Sequence, residues 1–144
     1  MELSFQQRFL IGNDRFDVDL RDLEILQTSQ GSWLYASTGR NGGISQFQLS
    51  GGGAAPVLID THWHQRSTLA TGEFSLTEIG GDPALLQHDT TGGRLLSYAP
   101  DVNGNLGTQQ QQSLPGGINA LEDLTGARLG TGTELIYGVS ASGR

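Results

Sequence analysis

His62-Trp63-His64 is the clearest metal-binding pattern in this 144-residue chain. On a strand, residues i and i+2 point to the same side, so both imidazoles could face one ion. With Asp60 they would form the nitrogen and oxygen donor set that zinc and other divalent metals accept. His88 would add a ligand if the fold brought it near. The structural alternative is a connecting loop with exposed or stacking rings. Asp101-Val102-Asn103-Gly104-Asn105 sets oxygen donors at alternate positions, like the first half of a calcium loop. Gln109 to Gln112 stand where the bidentate glutamate of such a loop would fall. Asn-Gly is also a strong hairpin-turn signal, and the sequence favours that reading.

The remaining patterns point away from catalysis. Asp14, Asp17, Asp19, Asp22 and Glu24 cluster as acids, suited to calcium, to a basic partner or to a solvated strand face. Gly39-Arg40-Asn41-Gly42-Gly43 lacks the lysine and the following helix of a phosphate loop. No Gly-x-Ser-x-Gly elbow occurs. The chain has no cysteine, which excludes disulfides, thiolate metal sites and cysteine nucleophiles. The expectation is a chain with no catalytic residue, no cofactor-binding residue and no assigned metal site. His62, His64, Asp101 and Asn103 stand as the metal candidates.

Charge and composition narrow the partners. The net charge is −7, and all eight basic residues are scattered arginines. Binding phosphate surfaces needs clustered cations, so nucleic acid is not expected as a partner. No stretch approaches the roughly 20 apolar residues that span a bilayer, so membrane insertion is not expected. Met1-Glu2-Leu3-Ser4-Phe5-Gln6-Gln7-Arg8 does not read as a secretory signal. Export would then use a route that reads no N-terminal signal, or a released particle. Twenty-two glycines are about twice ordinary usage. Such a chain suits many short strands better than long helices.

Those strands recur. Leu34, Leu85 and Leu135 sit in matching contexts, 51 and 50 residues apart. Phe47 and Tyr98 follow the first two, again 51 apart. The alternation predicts strands at Phe16–Leu20 in the arm, then at Leu23–Ile25, Trp33–Ser37, Ile44–Leu49 and Pro56–Asp60. It predicts further strands at Phe74–Ile79, Ala84–His88, Arg94–Tyr98 and Leu106–Ser113. Asn119–Leu124 reads as one helical turn or as another strand. Trp33 and Tyr98 fall at core positions, and the Gln109–Gln112 run reads as an exposed edge. The chain divides into an arm (1–21), a first repeat (22–72), a second repeat (73–122) and the start of a third (123–144). Four strands in about 50 residues is the content of one propeller blade. The expected class is therefore all-β, with antiparallel four-stranded blades of a β-propeller-like array, incomplete in this chain. Closing a ring takes about four to eight blades. The chain is accordingly expected to begin a longer polypeptide or to assemble with copies of itself.

Gly31-Ser32-Trp33-Leu34-Tyr35-Ala36-Ser37, followed by Gly42-Gly43-Ile44-Ser45-Gln46-Phe47-Gln48-Leu49 and a glycine turn, resembles the blades of lactonase-like β-propellers. The repeats are most similar to those in the N-terminal regions of alphaproteobacterial RTX-type calcium-binding proteins. They also resemble repeats in tail fibres of phages and gene transfer agents. The resemblance covers roughly residues 22–144 and implies an adhesive or structural role. It implies a non-enzymatic attachment module at the N-terminal end of an exported or particle-borne fibre. Its partners would be protein subunits or further copies, and its target cell-surface polysaccharide. The Gly-Gly-x-Gly-x-Asp repeat of the RTX part is absent, so any calcium would belong to a C-terminal part beyond these residues. The competing expectations are a lactonase-like enzyme with His62, His64 and His88 at a central channel, and a carbohydrate-binding propeller with exposed Trp33, Trp63 or Tyr98.

Overall fold

The computed structural model describes residues 10–12, 16–38, 43–52, 54–63, 71–89, 94–113, 121–128 and 134–140. Among them the protein is all-β, with antiparallel strands and no helix. The first sheet runs in chain order: β1 (Leu20–Thr28), β2 (Gly31–Thr38), β3 (Gly43–Leu49) and β4 (Val57–Trp63). The second repeats it with β5 (Thr71–Ile79), β6 (Asp82–Asp89), β7 (Arg94–Tyr98) and β8 (Gln110–Ser113). In the third, β9 (Leu121–Arg128) pairs with β10 (Glu134–Ser140).

The 51-residue spacing is a hydrogen-bond register. Leu23 opposite Ala36 recurs as Phe74 opposite Gln87, and Leu34 opposite Phe47 recurs as Leu85 opposite Tyr98. The third sheet slips by one residue. Leu124 takes the inward place of Phe74, 50 residues on, yet pairs with Gly138, 51 residues beyond Gln87. By pairing, the counterpart of Leu85 is therefore Ile136 rather than Leu135. Tyr35, Leu86 and Tyr137 become equivalent positions, each 51 residues from the last.

Period-2 alternation gives each sheet two distinct faces. From the first sheet, Leu26, Trp33, Tyr35 and Ile44 pack against Phe74, Leu85 and Tyr98 of the second and against Leu106 of the connection between β7 and β8. Fully burying side chains of this size contributes roughly 1.5–3 kcal/mol each. On its other face the second sheet meets the third through Ala84, Leu86, Leu95 and Leu124. Close approach of β9 to β5 depends on Gly126, where a Cβ would run into the Thr77 side chain. Among the described residues the middle sheet is thus covered on both sides, and the two outer sheets on one.

Several expected elements differ in extent. Phe16–Leu20 is not a strand; Phe16 to Val18 form a turn and bends, and β1 begins at Leu20. The Asp17 carboxylate causes this by accepting the Ile11 and Gly12 N–H groups at 2.6 and 2.7 Å. Asp19 then adopts a left-handed φ of 57°, a conformation that Asp tolerates better than most residues. Leu106 lies outside any strand, buried in the core, and only Gln110–Ser113 pairs as the exposed edge. Leu121–Leu124 belongs to β9, the strand alternative of the Asn119–Leu124 reading, and Asn119 and Ala120 lie outside the described residues. The fourth strand extends to Trp63, which places His62 and Trp63 on β4 rather than in a loop. Trp33 and Tyr98 are core residues as expected, 6% and 5% exposed.

Candidate functional site

The acidic cluster is spent on the scaffold. Asp17 closes the loop of the arm, and Asp19 pairs with Arg21 at 2.9 Å. Asp22 Oδ2 accepts the Phe74 N–H at 3.3 Å, and Glu24 Oε1 accepts the Leu76 N–H at 3.2 Å. These carboxylates stitch β1 to β5 by satisfying donors that β5 does not use in pairing with β6. Burial pushes the Glu24 carboxyl above its usual value; the Leu76 N–H partly offsets this, and the neighbouring Asp22 charge adds to it. Asp14 lies outside the described residues.

His62 and His88 are not brought together. His62 is half-buried on β4, its ring edge-on to Tyr98 at 6.3 Å, with Nε2 3.5 Å from Asp60 Oδ2. His64 lies outside the described residues. His88 is buried on β6, but the alternation with Leu85 and Gln87 turns it away from the first sheet. The second sheet therefore stands between His62 and His88. Among the described residues, no three His, Asp or Glu side chains gather as a metal site.

Asp101 and Asn103 build a turn. The Asp101 carboxylate accepts the Asn103 N–H at 2.8 Å, the Asn105 N–H at 2.9 Å and the Asn105 side-chain amide at 3.0 Å. The two Asn105 bonds, then those from Asn103, hold the Asp101 carboxyl below its usual range. Gly104 occupies φ 75° against the face of Trp33, where a Cβ would collide with the indole. Tyr35 Oη donates to the Gly104 carbonyl at 2.6 Å, and Thr28 Oγ1 to the Val102 carbonyl at 2.6 Å. The loop between β7 and β8 is thereby latched onto the first sheet. Burial, with the Asp101 charge second, pushes the Tyr35 phenol far above its ordinary value.

Two features of this region have no clear signal in the sequence. Gln46 is fully buried between Tyr35 and Asp60 in the register, and neither side-chain amide atom has a protein hydrogen-bond partner. Its alternation with Ile44 and Gln48 marks it as inward-facing, but a polar residue there reads as exposed. The second feature is a trough of about 400 Å³ on the outer face of the first sheet. Leu23, Leu34, Ala36, Phe47 and Leu58 form its floor, and Leu10, Ile11 and Phe16 of the arm form one wall. Phe16 is anchored there against Trp63, with ring centroids 6.4 Å apart. The floor residues are legible as alternating apolar positions, but which face lacks a cover is not.

The chemistry these positions support is structural hydrogen bonding and apolar docking. No helix among the described residues is long and apolar enough to cross a membrane. Comparison of the chain with known protein families, with curated proteins and with solved structures finds no match.

Proposed function

We propose that the chain is a non-enzymatic structural and attachment module whose sheets are propeller-type blades. In this reading it is the N-terminal anchoring part of a larger exported or particle-borne fibre, of the tail-fibre or RTX-adhesin kind. The observation that carries the proposal is the use of its polar side chains. Asp22, Glu24, Thr28 and Tyr35 join one sheet to the next, and Asp101 shapes the turn that Thr28 and Tyr35 hold, so the chemistry-bearing residues serve the array. The shared register of the first two sheets supports a repeating unit, and the stacking of β1 on β5 and β5 on β9 supports blade-like addition. Partners would be protein subunits of the assembly.

A second reading, carbohydrate recognition, is favoured by Trp63, which is 56% exposed and presents an aromatic face suited to sugar stacking. In that case, Trp63→Ala would abolish binding to surface polysaccharide while the paired sheets persist and the Phe16 contact is lost.

Intact mass and peptide mapping of the native polypeptide test the main proposal. A chain recovered from the medium or from particles, continuing the 51-residue period past Arg144, is the expected result. A 144-residue protein confined to the cytoplasm would overturn the fibre reading.

A further inference from the structure

The contact between neighbouring sheets occurs twice inside this molecule, and among the described residues each end of the stack carries one half of it unused. Tyr35 leaves the first sheet and is enclosed with Phe74, Leu85 and Tyr98 of the second, at 0% exposure. Fifty-one residues earlier, the counterparts of Phe74, Leu85 and Tyr98 are Leu23, Leu34 and Phe47. Those three residues line the open trough on the first sheet. Leu23 is 50% exposed, and Leu20 and Ile25 beside it are also exposed.

At the opposite end the situation is reversed. Leu86, the counterpart of Tyr35 in the second sheet, is buried under Leu124 of the third. Tyr137 is the next counterpart, paired with Thr125 on the face of the third sheet opposite to Leu124. It is 53% exposed, and Val139 on the same face is exposed as well. Among the described residues there is thus an apolar socket without a knob at one end and an apolar knob without a socket at the other.

We infer that the trough on the first sheet receives Tyr137 and Val139 of a second copy of this chain, docked head to tail. The interface extends the internal sheet-to-sheet contact, so the occupant is specified by the repeat that already fills the equivalent site. It is heterologous: the surface given differs from the surface taken, so copies add until the rotation closes a ring or builds a filament. The arm segment that carries Ile11 and Phe16 borders the socket and would also contact the incoming copy. The inference rests on the proposed repeat-module function and adds its partner and its surfaces.

Two charge substitutions separate this arrangement from its alternatives. Leu23→Glu blocks the socket and Tyr137→Glu blocks the knob, both at exposed positions. In sedimentation of the Met1–Arg144 chain, the wild type is expected to form multimers and each variant alone to be monomeric. Mixing the two variants leaves one good socket and one good knob, and dimers that grow no further are expected. The lack of native cysteine allows a second test. Under oxidation, Leu23→Cys mixed with Tyr137→Cys is expected to give a disulfide-linked dimer, and neither variant alone any. A wild-type chain that remains monomeric at high micromolar concentration overturns the inference. So does a linked dimer from Leu23→Cys alone, which would mean socket facing socket. If a later repeat of a longer polypeptide fills the trough, the 144-residue chain stays monomeric; the inference then fails and the fibre reading stands. A 144-residue cytoplasmic protein that assembles head to tail gives the opposite pair of outcomes.

Discussion

Asp22 and Glu24 show how a residue type that reads as solvated becomes structural. A strand edge leaves N–H groups without a ladder partner, and a carboxylate of the right length on the adjacent sheet can accept them. Glu24 does this at the cost of partial burial beside another acid. Its folded-state pKa is raised above 4.5, so the fold favours the protonated form. The resulting stability is complete below 4.5 and is lost as pH rises through the raised value. Glu24→Gln keeps an oxygen acceptor for the Leu76 N–H and removes the charge. Thermal unfolding across mildly acidic pH is expected to show a decline in the wild type just above 4.5 that the variant lacks. Parallel curves for the two proteins would refute the assignment. Asp101 has the opposite sign: its pKa is lowered from 3.8, so its contribution is present above that value and is lost as pH falls.

At the level of the strand and sheet, position in the repeat does not set energetic weight; cover does. Leu34 and Leu85 occupy the same register position, opposite Phe47 and Tyr98. Leu85 is sealed between two sheets, whereas Leu34 lines the open trough. Leu85→Ala should cost about 2–5 kcal/mol, the range for a buried leucine that leaves a cavity. Leu34→Ala should cost about 1 kcal/mol or less in the monomer, because its side chain already borders solvent. Urea unfolding of the two variants in dilute solution measures the difference, and equal losses would mean that the outer face is covered within a single chain. The same logic explains Leu106. Its apolar character suggested a strand residue, yet the Asp101 turn directs it into the space between the sheets, where it acts as a plug.

For the whole molecule, the stack predicts a gradient of stability. The second sheet is covered on both faces, so β6 and β7 should open last. The glutamine edge β8 is exposed throughout, and β10 lies at the open end of the stack. Amide hydrogen exchange is expected to protect Leu85, Leu86 and Leu96 most strongly, and residues of β8 and β10 least. If the N-terminal sheet exchanged more slowly than the middle one, the second sheet would not be the covered centre of the stack. Addition of a second copy at the socket should raise protection in β1 and β2 selectively.

The all-β class, the strand count per repeat and the inward positions of Trp33 and Tyr98 were written in local pattern, because alternation and turn residues act over a few neighbours. The 51-residue period was legible for the same reason, through Leu34, Leu85, Phe47 and Tyr98. Tertiary structure alone decided what those elements meet. His62 and His88 are ordinary histidines in sequence, and only the interposed second sheet separates them. Asp22 reaches a backbone N–H 52 residues away, a distance along the chain over which no local pattern carries information. The one-residue slip that makes Tyr137 the successor of Tyr35 depends on β9 pairing with β10, which the Leu135 motif concealed. Which apolar face stays open is a property of how the sheets stack, since both faces of the first sheet alternate equally well.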